Sequence, residues 1–116
     1  MPKDKLVRRG KMNINKELAT DEVVKYDDII IEENDERVKR AAELLKNIID
    51  MEDAPNFLKK LCREGLKILS QKDIDFDIRR ERIINLFSEI PEDLSNNMDS
   101  FTRILIFQLT ASLEQL

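Results

Sequence analysis

The chain has 116 residues, 41% hydrophobic and 38% charged, with a net charge of −4, which is room and apolar mass for one water-facing domain with a modest core. It holds no histidine, no tryptophan, one cysteine and two glycines. Imidazole catalysis, a Cys/His zinc site, an intrachain disulfide and a glycine-rich phosphate loop are therefore excluded.

Residues 1–20 carry six bases against two acids, whereas the rest of the chain carries 14 against 22. A basic arm on an acidic body is a solvated tail or, with Arg8, Arg9 and Lys11, a phosphate-contacting element. The arm has no aromatic residue to stack on bases, so such binding would be sequence-blind. The opening residues are charged with no apolar stretch behind them, unlike a secretory signal, and one free thiol suits a reducing cytoplasm. The longest apolar run, Ile104 to Phe107, is far below the roughly 20 residues that cross a bilayer.

Residues 1–33 read as a mobile, basic N-terminal extension. Its last part, 21–33, fits a capped helix with Val23, Tyr26 and Ile30 on one side, or a short β-branched strand. Ile29, Ile30 and Ile31 between acids resemble peptides that add a strand to another protein's sheet; the plainer alternative packs them on the body as a short arm.

Helical periodicity begins at Asp35. Val38, Ala41, Leu45 and Ile48 recur at three- and four-residue spacing, with Asn34 the expected N-cap. The second helix is expected over 53–71 with Pro55 inside its first turn. Its apolar face contains Leu58, Leu61, Gly65, Ile68 and Leu69, widened by Cys62 and Leu66. A mid-helix glycine costs about 1 kcal/mol against alanine, so Gly65 marks a close helix approach, and Cys62 reads as a small buried hydrophobe. The third helix is expected over 76–90, with Ile83, Ile84, Phe87 and Ile90 inward and Pro91 as its stop. A loop follows. The fourth helix, 98–116, has no charge between Arg103 and Glu114 and is apolar around most of its circumference. It is either the central helix or a helix whose second face, with Ile104, Phe107 and Ala111, meets another chain.

Asp73, Asp75 and Asp77 imitate the start of a calcium loop, but Ile78 replaces the required glycine and Ile84 the closing glutamate. Helix capping by Asp75 and a dipole contact from Asp77 account for them better. No carboxylate pair, activated hydroxyl or core-face lysine can be nominated for catalysis, and no metal, cofactor or small-molecule substrate is expected. Lys59, Lys60, Arg63 and Lys67 form a stripe on the second helix, and Arg79, Arg80 and Arg82 cluster on the third. A solvated face is the default; joined to the N-terminal arm, the stripe would make a phosphate-binding surface.

Residues 37–116 resemble an archaeal family of short helical proteins catalogued as uncharacterised. The likeness rests on AAELLKNIIDMEDAPNFLKKL, DIDFDIRRERIINLFSEI and NNMDSFTRILIFQLTASLE in order, with Pro55, Arg79, Asn97, Met98, Arg103 and Phe107 as anchors. The chain departs from the pattern at Asp99, where proline is usual, at Phe107, where tryptophan is usual, and in its N-terminal extension. The resemblance implies a four-helix bundle from an archaeal cytoplasm and no particular activity. The Asn-Met…Arg…aromatic pattern is either a binding surface or a loop-and-cap arrangement, with Asn97 or Asp99 capping, Met98 filling a gap and Arg103 pairing with an acid.

The sequence thus predicts an all-α, up-and-down four-helix bundle over 34–116 with a flexible basic arm. It points to a non-enzymatic protein–protein interaction module, self-associating or partnered through the fourth helix. The competing reading is a nucleic-acid or ribonucleoprotein accessory protein using the basic arm.

Overall fold

A computed structural model describes residues 23–116. Among these residues five helices follow one another: α1 (Glu36–Asp50), α2 (Asn56–Leu69), α3 (Phe76–Ser88), the short α4 (Glu92–Asn96) and α5 (Ser100–Glu114).

Each boundary has a local cause. Asp35, not Asn34, caps α1: its Oδ1 accepts the Arg37 N–H at 2.8 Å. That bond holds the Asp35 carboxyl below its usual range. Pro55 adopts an extended ψ of 153° and stands just before α2, rather than inside its first turn. Its carbonyl still accepts the Leu58 and Lys59 N–H groups at 3.1 and 3.2 Å, so its missing N–H is harmless. The Asp75 side chain makes no capping bond to α3, contrary to expectation. Its backbone carbonyl fastens that turn instead, accepting from Ile78 and Arg79 at 3.1 Å each. Asp77 spends its charge on Arg37 and Arg80, at 3.7 and 3.6 Å. Helix α3 stops at Ser88, two residues short of the expected end, because Pro91 pushes Ile90 away from helical geometry. The stretch expected as loop contains α4, started by Pro91, whose carbonyl accepts from Leu94 and Ser95 at 3.1 and 2.9 Å.

The fold is all-α, with four main helices packed in sequence, up and down. Helix α1 lies on α2, α2 on α3 and α3 on α5, while α1 closes the bundle against α5 more lightly. The core joins Val38, Ala41 and Leu45 of α1, Leu58, Cys62, Leu66 and Leu69 of α2, Ile83 and Phe87 of α3, and Leu105, Leu109 and Leu113 of α5.

The middle helix is α2, and Gly65 shows why. A Cβ at Gly65 would sit 3.1 Å from a Leu45 methyl on one side and 3.3 Å from Ile83 Cγ2 on the other. The glycine lets α1 and α3 close on α2 together, which offsets its weak helix propensity. Of the two places open to the fourth helix, the central one is taken by α2, and α5 packs mainly on α3 with a lighter contact to α1.

Residues 23–35 form neither helix nor strand. They run as an extended strap with Val24, Tyr26, Ile29 and Ile31 half-buried against the core, while Val23 and Ile30 are exposed. A turn at Asp27-Asp28, closed by Ile29 N–H to Tyr26 O at 3.0 Å, keeps the inward register. Ile29 and Ile31 are thus spent on this chain's own core rather than presented together as a free edge strand. The boundary drawn at 33/34 falls inside this packed strap. Residues 1–22, with most of the expected basic extension, lie outside the described residues.

Candidate interaction surface

Helix α5 is fixed at its start by a cap and by ties to α4. Asp99 Oδ1 accepts the Thr102 N–H at 2.9 Å. Hydrogen bonding to Thr102 holds the Asp99 carboxyl below its usual range, as expected of an ionised N-cap at the positive end of a helix. Arg103 ties α4 to α5, donating from Nη2 to the Ser95 carbonyl at 3.1 Å and from Nε to the Met98 carbonyl at 3.4 Å. The acid partner expected for Arg103 is therefore replaced by two backbone carbonyls. Asn97 donates to the Asp93 carbonyl at 2.9 Å and closes α4 from its other end. Asn97, Met98, Asp99 and Arg103 together form the loop-and-cap arrangement, with Asp99 as the cap of α5.

One stripe of α5, Leu105, Leu109 and Leu113 with Thr102, is buried. The opposite stripe, at the same three- and four-residue spacing, is Ile104, Phe107 and Ala111. Phe107 is 72% exposed and Ile104 54% exposed, with Ala111 half-buried beside them. The helix is therefore apolar on two opposed faces, of which the described residues cover one. Thr110 does not interrupt the second face, since its hydroxyl donates to the Ile106 and Phe107 carbonyls at 3.0 and 3.1 Å. Next to the stripe, between the C-terminal half of α3 and α5, lies an open groove of about 400 Å³. Ile84, Phe87, Met98, Ile106 and Phe107 form much of its wall, with Arg103 and Glu114 on its rim. Met98 thus lines a groove.

Two of the basic residues, Arg63 and Arg79, are placed differently from the expected solvated face. Arg63 chelates Asp28 of the strap with two bonds of 2.8 Å and also donates to the Lys25 carbonyl. The Arg63 contact lowers the Asp28 pKa to about 2 and in return raises that of Arg63. Lys67 pairs with Glu64 at 3.2 Å. Lys59 and Lys60 lie half-buried on α2. Of the arginines on α3, Arg80 stacks over the Phe76 ring and Arg82 is exposed, while Arg79 is only 3% exposed.

Arg79 donates to both carboxylate oxygens of Glu33 at 2.8 and 3.1 Å and to the Leu69 carbonyl at 2.7 Å. It belongs to the interior, locking the strap onto the ends of α2 and α3, and is removed from any phosphate-binding face. Arg8, Arg9 and Lys11 lie outside the described residues. No local spacing signals the Glu33–Arg79 or Asp28–Arg63 pairs, because their partners meet only through the tertiary fold. Tyr26 completes the strap, donating to Asp50 at 2.8 Å, a bond that raises the phenol pKa.

Cys62 is buried, and desolvation pushes its pKa up, so the reactive thiolate is suppressed. Among the described residues no helix is long and apolar enough to cross a membrane.

The model of the Uncharacterised protein family UPF0147 matches residues 26–116. The chain belongs to that family. Its span starts inside the strap, so Tyr26, Asp28 and Glu33 fall within the UPF0147 unit together with their partners Asp50, Arg63 and Arg79. The chain is also similar to a UPF0147 protein of Methanothermobacter thermautotrophicus, at 25% identity over 83 residues, covering 72% of this chain and 79% of the relative. No solved structure matches the chain.

Proposed function

We propose that this UPF0147 protein is a non-enzymatic, cytoplasmic interaction module that associates with a second copy of itself through α5. The observation that carries the reading is the Ile104, Phe107 and Ala111 stripe, apolar and turned away from the core on a helix whose other face is already buried. Exposing a contiguous apolar patch on a rigid, capped helix favours association, because covering it releases the water held against it. The absence of histidine and the protonated, buried thiol support a role without covalent chemistry.

The basic stripe supports a phosphate-binding role less well. Arg63 and Lys67 face acids of this chain, and Arg79 lies in the interior.

Light scattering on a size-exclusion column tests the proposal. The expected result is a dimer at micromolar concentration that Phe107→Glu converts to a monomer with unchanged helical circular dichroism. A wild-type monomer across that range overturns it. Retention on RNA that weakens steeply with salt and is lost on deleting residues 1–20 would replace it with the phosphate-contact reading.

A further inference from the structure

Helix α5 carries two charges at the wrong ends of its own dipole. Arg103 sits near the N-terminus, where the helix end is positive, and Glu114 closes the C-terminus, where it is negative. Glu114 makes no ion pair among the described residues. Arg103 uses Nε and one terminal nitrogen on backbone carbonyls, and among the described residues its other N–H donors meet no acid. The two residues are about three helical turns apart, so they share one flank of α5, beside the exposed apolar stripe and on the rim of the groove.

This pattern is self-complementary in one orientation. When two copies of α5 lie antiparallel on their stripes, flanks of the same kind come together. The Arg103 end of one helix then lies beside the Glu114 end of the other, twice, related by a two-fold axis. Each helix terminus also meets a terminus of opposite sign, so both misplaced charges are relieved. A parallel pair would set Arg103 level with the partner's Arg103 and stack like dipole ends. The open groove beside the stripe offers room for Phe107 of the second copy, with Met98 and Ile106 as an adaptable apolar wall.

Resting on the self-association reading above, we propose that the partner of α5 is an antiparallel α5 of a second copy, with the Arg103 flank of each copy against the partner's Glu114.

Glu114→Lys leaves the Arg103 cap untouched and tests the orientation by sedimentation equilibrium. It is expected to weaken dimerisation about tenfold at low salt, with the loss shrinking as salt rises. The double variant Arg103→Glu/Glu114→Lys is expected to return most of the affinity. Independently, Ile104→Cys and Gln115→Cys chains, mixed and treated with a short bis-maleimide, are expected to link to each other and not to themselves, while buried Cys62 stays silent. An unchanged Glu114→Lys dimer, or cross-links of each cysteine variant to itself, would overturn the antiparallel arrangement and leave the dimer standing. A wild-type monomer overturns both.

Discussion

Helices α2 and α5 are similar in length and bury comparable leucine faces, yet they play opposite parts. Helix α2 is packed on two sides, by α1 and α3 around Gly65, and what remains is covered by Lys59, Lys60, Arg63 and Lys67. Helix α5 is packed mainly on α3, and what remains is Ile104, Phe107 and Ala111. The more polar helix is the central one and the greasier helix lies at the edge. Total hydrophobicity therefore does not rank helices by depth. Depth follows from which helix can let two neighbours approach at once.

The sharpest way to break this contrast is to truncate the two faces of α5 separately. Leu109→Ala empties a buried position and is expected to lower the unfolding free energy by about 3 kcal/mol. Phe107→Ala is expected to change the stability of the monomer by no more than about 0.5 kcal/mol. Urea denaturation at dilute concentration reads both, and a large loss from Phe107→Ala would place that ring in the chain's own core.

The α2 side answers to its strap. Arg79→Met leaves the Glu33 carboxylate half-enclosed without its cation and is expected to cost about 3 kcal/mol. That is the lower end of the range for breaking a buried pair, since Glu33 keeps some contact with water. Arg79→Met combined with Glu33→Gln is expected to recover part of that loss, and an additive double variant would show that the pair is not coupled.

At the start of α5, Asp99→Ala removes the N-cap and is expected to cost about 1 kcal/mol, read as a lower thermal midpoint with the dimer constant unchanged.

The smallest effect belongs to the exposed clamp. Arg63 depresses the Asp28 pKa from 3.8 to about 2. The contribution of a carboxylate with a lowered folded pKa is present above its unfolded value and disappears as pH falls through the folded one. It is therefore intact above about pH 4 and fades toward pH 2. Asp28→Asn should flatten that part of the stability curve while leaving the neutral-pH fold intact, and an unaltered acid limb would show that the clamp is not formed in solution.

Much of this molecule was legible before any coordinates. The three- and four-residue spacing of Val38, Ala41, Leu45 and Ile48 specifies one buried face whatever the neighbours are. Pro91 ends a helix through sterics confined to one residue, and Gly65 announces a close approach because nothing else offsets its propensity. The two-faced character of α5 also follows from the residue order alone, since periodicity is a property of the chain. Only the tertiary structure decided that α5 lies at the edge, that residues 24–33 pack as a strap, and that Arg79 is an interior residue fastened to Glu33. The last pair spans 46 positions of sequence, and no local rule reaches so far. Propensity, capping and period act within a turn or two, whereas the choice of which helix sits between which others is made by side-chain shapes meeting across the core.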